Sequence, residues 1–265
     1  MALTESVSEP LILRYDKDGI SNLTINRPKA YNSLSIECME MFIAELEDVA
    51  SDPSVKVVVV SGAGKGFCAG HDMRDLRANP EKSFYEKTFR TSAKLMMTIV
   101  DLPKPVIAKV HGVATAAGCQ LVATCDLAVA DEHARFATPG VNIGLFCSTP
   151  MVALSRNVSR KHAMEMLLTG DSISAARAFE IGLINRVVPY EELDSSANEL
   201  ALKIASKSPL TLKIGKKAFY EQLDKGLSDA YELCARVMVE NMMARDAEEG
   251  IDAFLEKRSP VWCGR

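Results

Sequence analysis

Three observations predict an α/β fold. A β-rich pair and an amphipathic helix lead into the valine run Val57-Val58-Val59-Val60, the pattern of a strand buried on both faces. A buried strand, a small-residue turn and a helix start then recur, and from Lys161 onward helical spacing dominates. The expected organisation is an α/β core over 1–195 and a helical region over 196–265.

The elements follow in order. Leu11-Ile12-Leu13-Arg14-Tyr15 and Ile20-Ser21-Asn22-Leu23-Thr24-Ile25 flank the turn Asp16-Lys17-Asp18-Gly19, the pattern of a hairpin, and Pro28 closes its second strand. Ser35 is placed to cap a helix carrying Met39, Phe42, Ile43, Leu46 and Val49 at helical spacing, ahead of the valine strand. Residues 62–80 read as a glycine-containing loop, and 81–100 as a helix with Phe84, Phe89, Leu95, Met96 and Ile99, ended by Leu102-Pro103-Lys104-Pro105. A second buried strand spans 106–110. The small-residue stretch 112–118 precedes a short helix over 119–125 and a third strand over 127–130. Helical patterns at 197–207, 209–222 and 228–257 are separated by Ser208-Pro209 and Gly226.

Composition excludes several classes. The 265 residues are 48% hydrophobic and 25% charged, ordinary values for a globular chain. Apolar runs stop far short of the roughly 20 residues of a membrane span, and the opening MALTESVSEP lacks the basic and apolar pattern of a leader. A net charge of −4 leaves no field to hold a nucleic-acid backbone. Seven cysteines, an odd number spread widely without a repeated CxxC, suit reduced thiols in a cytoplasmic protein.

Two apparent motifs carry little chemistry. Gly62-Ala63-Gly64-Lys65-Gly66 follows a strand but fits neither phosphate-loop spacing. Cys68 and His71 lie three apart without a second pair to complete a metal site, so no metal is expected. Two other segments say more together. Phe67-Cys68-Ala69-Gly70-His71-Asp72 and Thr115-Ala116-Ala117-Gly118-Cys119-Gln120 each present small side chains where a backbone can approach a ligand, so that two N–H groups can converge on an oxyanion. On spacing alone, the same small residues serve equally to let a helix pack on a sheet.

Asn26-Arg27-Pro28-Lys29-Ala30-Tyr31-Asn32-Ser33-Leu34, Gly66-Phe67-Cys68-Ala69-Gly70-His71-Asp72, the stretch 112–120 with Cys125-Asp126-Leu127-Ala128-Val129-Ala130, Ala163-Met164-Glu165-Met166-Leu167-Leu168-Thr169-Gly170 and Gly182-Leu183-Ile184-Asn185 together resemble the crotonase, or enoyl-CoA hydratase/isomerase, superfamily. The match runs from about residue 11 to 260, with five ordered motifs at family spacing. The resemblance implies a crotonase-like spiral of ββα units with a C-terminal helical trimerisation region, assembly as homotrimer or hexamer, and acyl-CoA thioesters as substrates without a further cofactor. It implies that the N–H groups of Ala69 and Ala117 hold the thioester oxygen. It also implies CoA contacts from Lys29 and Ala30, from the backbone over Ala69, Gly70, Asp72 and Met73, and from Phe254 and Lys257 of the last helix, with Arg27 and Arg74 as further candidates.

The family's hydratases use one glutamate in GGGCE and one in PEI; Gln120 and Gly140 stand at those positions here. An amide is a poor proton carrier and glycine has no side chain, so two-carboxylate hydration is not expected. His71 is the imidazole placed to replace them, whereas His111 precedes the second turn and His133 and His162 read as surface positions. Glu165 reads as structural, Cys147 and Ser148 as pocket packing without an adjacent base, and Asn142 and Gln120 as groups that orient a water or carbonyl. Three functions follow: an enoyl-CoA hydratase or isomerase with non-glutamate acid/base groups, an acyl-CoA thioesterase or other hydrolase, or a catalytically silent acyl-CoA binder or assembly partner.

Overall fold

The computed structural model describes residues 9–265; residues 1–8, most of the stretch judged for a leader, lie outside them. Strands β1 (Ile12–Lys17) and β2 (Ile20–Ile25) form the expected hairpin, turning through Asp18 and Gly19 at φ 53° and 78°. Positive φ at both central residues matches the right-handed twist of the strands, and Asp and Gly tolerate it. The Ser35 hydroxyl accepts the Cys38 N–H at 3.2 Å and starts α1 (Ile36–Ser51), which leads into β3 (Val57–Gly62). A short helix, α2 (Met73–Ala78), occupies part of the expected 62–80 loop because the Asp72 carboxylate accepts the N–H groups of Arg74 and Asp75. The chain continues through α3 (Lys82–Asp101), β4 (Val106–Val110), β5 (Val113–Thr115), α4 (Ala117–Thr124), β6 (Leu127–Asp131) and β7 (Arg135–Ala137). Helix α4 starts two residues before the expected Cys119, so Ala117 is its first residue. A 3₁₀ turn (Pro139–Ile143) precedes α5 (Pro150–Asn157), α6 (Arg160–Thr169), β8 (Ile173–Ser174), α7 (Ala175–Glu180), β9 (Arg186–Val188), α8 (Leu193–Ala205), α9 (Pro209–Leu223), α10 (Leu227–Met242) and α11 (Arg245–Glu256).

The main sheet has the order β1-β2-β3-β4-β6-β9, parallel except for the opening hairpin, and the smaller sheet has the order β5-β7-β8. The valine strand explains its own composition. Val58 and Val60 face a core cluster with Phe42, Leu46 and Ile99, while Val57 and Val59 face a second cluster closed by Leu193, Ala201 and Ala205 of α8. A domain boundary at 195 would therefore cut through a helix that covers one face of the main sheet; the change of character falls at Ser206–Ser208 instead.

The pattern expected as one helix over 228–257 breaks at Met243–Ala244. Asp246, at the start of α11, is buried and accepts from Ser208 Oγ at 2.5 Å and from the N–H groups of Cys263 and Gly264, which folds the chain end back onto this corner. Helix α9 is tied to the core by an internal ion pair. Lys216 Nζ lies 2.7 Å from Asp126 Oδ2, which also accepts the Val106 N–H, while Tyr220 donates to Asp126 Oδ1 at 2.9 Å. Every polar atom of that pair has a partner, which a buried pair requires.

Candidate active site

Two loops and the start of α4 meet in one place. Residues 26–34 wrap against the 62–72 loop, held by buried Asn32, whose Nδ2 donates to the carbonyls of Ala63 and Gly66 at 2.8 and 2.7 Å while its Oδ1 accepts the Arg27 N–H. Cys68 bridges the two small-residue turns, its N–H donating to the Val113 carbonyl at 3.0 Å and its carbonyl accepting the Thr115 N–H at 2.9 Å. A Cβ on Gly118 would lie 2.0 Å from the Cys68 carbonyl oxygen, and one on Gly70, at φ +101°, 3.2 Å from the Ala117 nitrogen. The turns can touch because those two positions carry no side chain.

This geometry corrects one of the two expected donors. The Ala69 N–H donates to the Tyr31 carbonyl at 2.9 Å and is already engaged. The strand-like contact with Leu34 uses the Gly70 carbonyl and the Asp72 N–H and leaves the N–H of His71 without a protein acceptor among the described residues. Ala117, as the first residue of α4, likewise keeps its N–H unspent, as helix starts do. The pair of free donors beside Gly70 is therefore His71 and Ala117. Nothing in the sequence marks this choice, because it depends on which carbonyl the 26–34 loop presents. Ala116, just before α4, sits at φ 50° and ψ −117°, a strained conformation for a residue with a Cβ, and its N–H is held by the Ala137 carbonyl at 2.9 Å.

The side chains are mostly uncharged. His71 packs edge-on against Phe89 with centroids 5.3 Å apart, its Nε2 is shut off from solvent without a partner, and burial lowers its pKa to about 4, so it is neutral near pH 7. Gln120 is buried in α4 with Oε1 unpartnered. Gly140 lies in the 3₁₀ turn, where its N–H points to Cys147 Sγ at 3.3 Å and an added Cβ would come within 2.6 Å of the Leu145 carbonyl oxygen. Burial pushes the Cys147 thiol up, away from a nucleophile's range. Asn142, Ser148 and Glu165 are exposed, as is His133, whereas His162 and His111 are half-buried, the latter's Nε2 bonded to the Gly64 carbonyl at 2.9 Å.

The expected CoA contacts separate into free and engaged groups. Lys29 and Ala30 line a shallow groove with Asn26, Arg27 and Pro28, and Lys29 is exposed there. Arg27 is not free for a phosphate: it pairs with Asp72 at 2.8 Å and reaches the Ser33 carbonyl. Burial pushes the Asp72 carboxyl up, but the bonds from Arg27 and from the Asp75 and Arg74 N–H groups outweigh it and hold it below the usual range. Met73 and Arg74 are exposed. Phe254 on α11 and Lys257, the residue just past its end, are exposed, within a different part of the chain from the paired turns.

A parallel ββα core with two small-residue turns at one corner defines a crotonase-fold protein. The family model described as enoyl-CoA hydratase/isomerase matches residues 16–265, and the chain belongs to that family. It is 48% identical over 253 residues to a Xenopus laevis protein named enoyl-CoA hydratase domain-containing protein 3, mitochondrial, covering 96% of this chain and 86% of the relative. An enoyl-CoA hydratase structure from Mycobacterium smegmatis superposes with TM-score 0.94 at 50% identity, over 96% of this chain and 99% of its own. The human enoyl coenzyme A hydratase domain-containing protein 3 superposes with TM-score 0.93 at 46% identity, over 96% and 100%.

Proposed function

We propose that the chain binds acyl-CoA thioesters and stabilises negative charge on the thioester oxygen, as in an enolate, between the His71 and Ala117 N–H groups. The observation that carries this is the pair of unspent donors beside Gly70, one of them at a helix start where the dipole favours an anion. Proton transfer by two carboxylates is not part of the proposal, because Gln120 and Gly140 supply none. A neutral imidazole at His71 remains as the candidate acid or base. Thioester hydrolysis through Cys147 or Ser148 is disfavoured by the raised Cys147 thiol and by Ser148, which is exposed and bonded only to the Phe146 carbonyl.

The test pairs two substitutions. His71→Pro deletes the N–H, whereas His71→Ala removes only the imidazole. Acyl-CoA affinity lost in the first variant and kept in the second, with both folded by circular dichroism, supports the donor; equal affinity in both overturns it. Ala69→Pro would instead cut the bond to Tyr31 and report on the loop.

Assembly as a trimer or dimer of trimers belongs to the same proposal, supported by the apolar faces of α10 and α11. The compartment is inferred at a coarser level. All seven cysteines are free, which fits a reducing compartment, and the frog relative's name says mitochondrial, so the expectation of a cytoplasmic protein is not carried further.

A further inference from the structure

Ala116 holds a backbone conformation that its own side chain opposes. Of the other non-glycine residues at positive φ, Tyr31 and Lys257 sit at ψ 39° and 40°, in the small left-handed region open to L-residues. Ala116 combines φ 50° with ψ −117°, close to the angles of the first central position of a type II′ turn, a place that glycine normally fills. Three contacts keep it there. Its N–H donates to the Ala137 carbonyl at 2.9 Å, its carbonyl accepts the Gln120 N–H at 3.0 Å, and its methyl lies beside Gly70, where an added Cβ would come within 2.9 Å of it. A return to negative φ would swing these groups away from their partners.

The strained angle acts on the next residue. A planar trans peptide places the Ala116 carbonyl and the Ala117 N–H on opposite sides of one plane, so ψ at Ala116 fixes where the Ala117 N–H points. With the carbonyl turned into α4 to take the Gln120 N–H, the Ala117 N–H is turned the other way, out of the helix start. We propose that Ala116 is a positioning residue, whose strained backbone holds the Ala117 donor in a single direction at a cost in stability. This rests on the acyl-CoA proposal above and adds what aims one of its two donors. A glycine at 116 would reach the same angles without strain but would reach others equally well, so the peptide plane would lose its single setting. Stability and preorganisation therefore oppose each other at this residue.

The test compares the full-length parent with Ala116→Gly, by thermal melting and by infrared difference spectra of bound butanoyl-CoA isotopically labelled at the thioester carbonyl. Relief of strain outweighs the freedom that glycine adds to the unfolded chain, so the variant should melt roughly 2–4 °C higher. Its bound carbonyl stretch, lowered in the parent by the paired donors, should move part of the way back toward that of the free thioester. Affinity should fall about two- to tenfold, the effect of one less well aimed hydrogen bond. A purely structural role would move the melt and leave the carbonyl frequency alone; that result, or a variant that melts no higher than the parent, overturns the positioning role while leaving acyl-CoA binding intact. A parent that binds butanoyl-CoA with an unshifted carbonyl removes the oxyanion reading, and a parent that does not bind it at millimolar concentration removes the acyl-CoA proposal. In either case Ala116 has no donor to aim.

Discussion

Helices α4 and α10 divide the molecule into two kinds of surface. All eight residues of α4 are buried, whereas of the sixteen in α10 Leu233 alone is buried, and Leu227, Tyr231, Met238, Val239 and Met242 are more than half exposed. The first helix has its neighbours within its own chain, because glycine at 118 lets it approach the Cys68 carbonyl. The second leaves most of its apolar side chains exposed in the single chain. The site region is a closed packing problem, and the C-terminal region is an open one joined to it through Lys216 and Asp126.

The largest effect is expected in the closed region's chemistry. Each missing acid/base group costs typically 10²- to 10⁴-fold, so hydration of crotonyl-CoA should fall far below ordinary hydratase turnover. Turnover of tens per second in a coupled absorbance assay would mean that His71 or another group carries the proton.

Next is the joint between the regions. Asp126→Ala leaves Lys216 Nζ, Tyr220 Oη and the Val106 N–H without their shared acceptor, and should cost about 3–5 kcal/mol in denaturant unfolding. A loss below about 1 kcal/mol would show that α9 does not depend on the pair.

A third effect sharpens the closed side. Gly140→Glu, the change that would restore the second carboxylate position, must push the Leu145 carbonyl and Cys147 Sγ aside. It should destabilise by about 1–3 kcal/mol, the usual cost of overpacking, and should not raise hydration even beside Gln120→Glu. A thermal melt unchanged from the parent would show that the turn yields.

On the open side, Phe254→Asp and Val239→Asp should shift sedimentation from a trimer toward a monomer while leaving the far-ultraviolet spectrum unchanged, since Phe254 is 82% and Val239 64% exposed in the single chain. A parent that sediments as a monomer at micromolar concentration would remove the assembly proposal.

The smallest effect is pH-dependent stability. His71 has its pKa depressed to about 4 by burial, so the unfolded chain binds its proton first. The stability contributed by keeping it neutral is full above about pH 6.5 and is lost as pH falls toward 4. The difference in melting temperature between parent and His71→Phe should therefore move against the parent over that range. A difference constant with pH would mean that His71 is more solvated than its packing against Phe89 implies.

Much of this was legible in the residues. The hairpin, the Ser35 cap and the doubly buried valine strand follow from local rules, because turn chemistry, capping and burial on two faces each leave a short-range mark. The motifs placed the two turns and the loss of both glutamates. Helix α2 was legible in principle, through Asp72 as its cap, but the short segment carries no apolar period. The break at Met243–Ala244 was not, since it depends on Asp246 meeting Ser208 and the chain end.

Sequence alone thus determined which backbone segments are small enough to approach a ligand and which acid/base groups are missing. Only the tertiary structure decided which N–H groups remain free. Ala69 is consumed by Tyr31 and His71 is spared, because a hydrogen bond is settled by the partner that another part of the chain brings within 3 Å. The same holds for Gly140, whose missing side chain reads in sequence as a lost carboxylate and in space as a turn packed against Leu145 and Cys147 with no room for one.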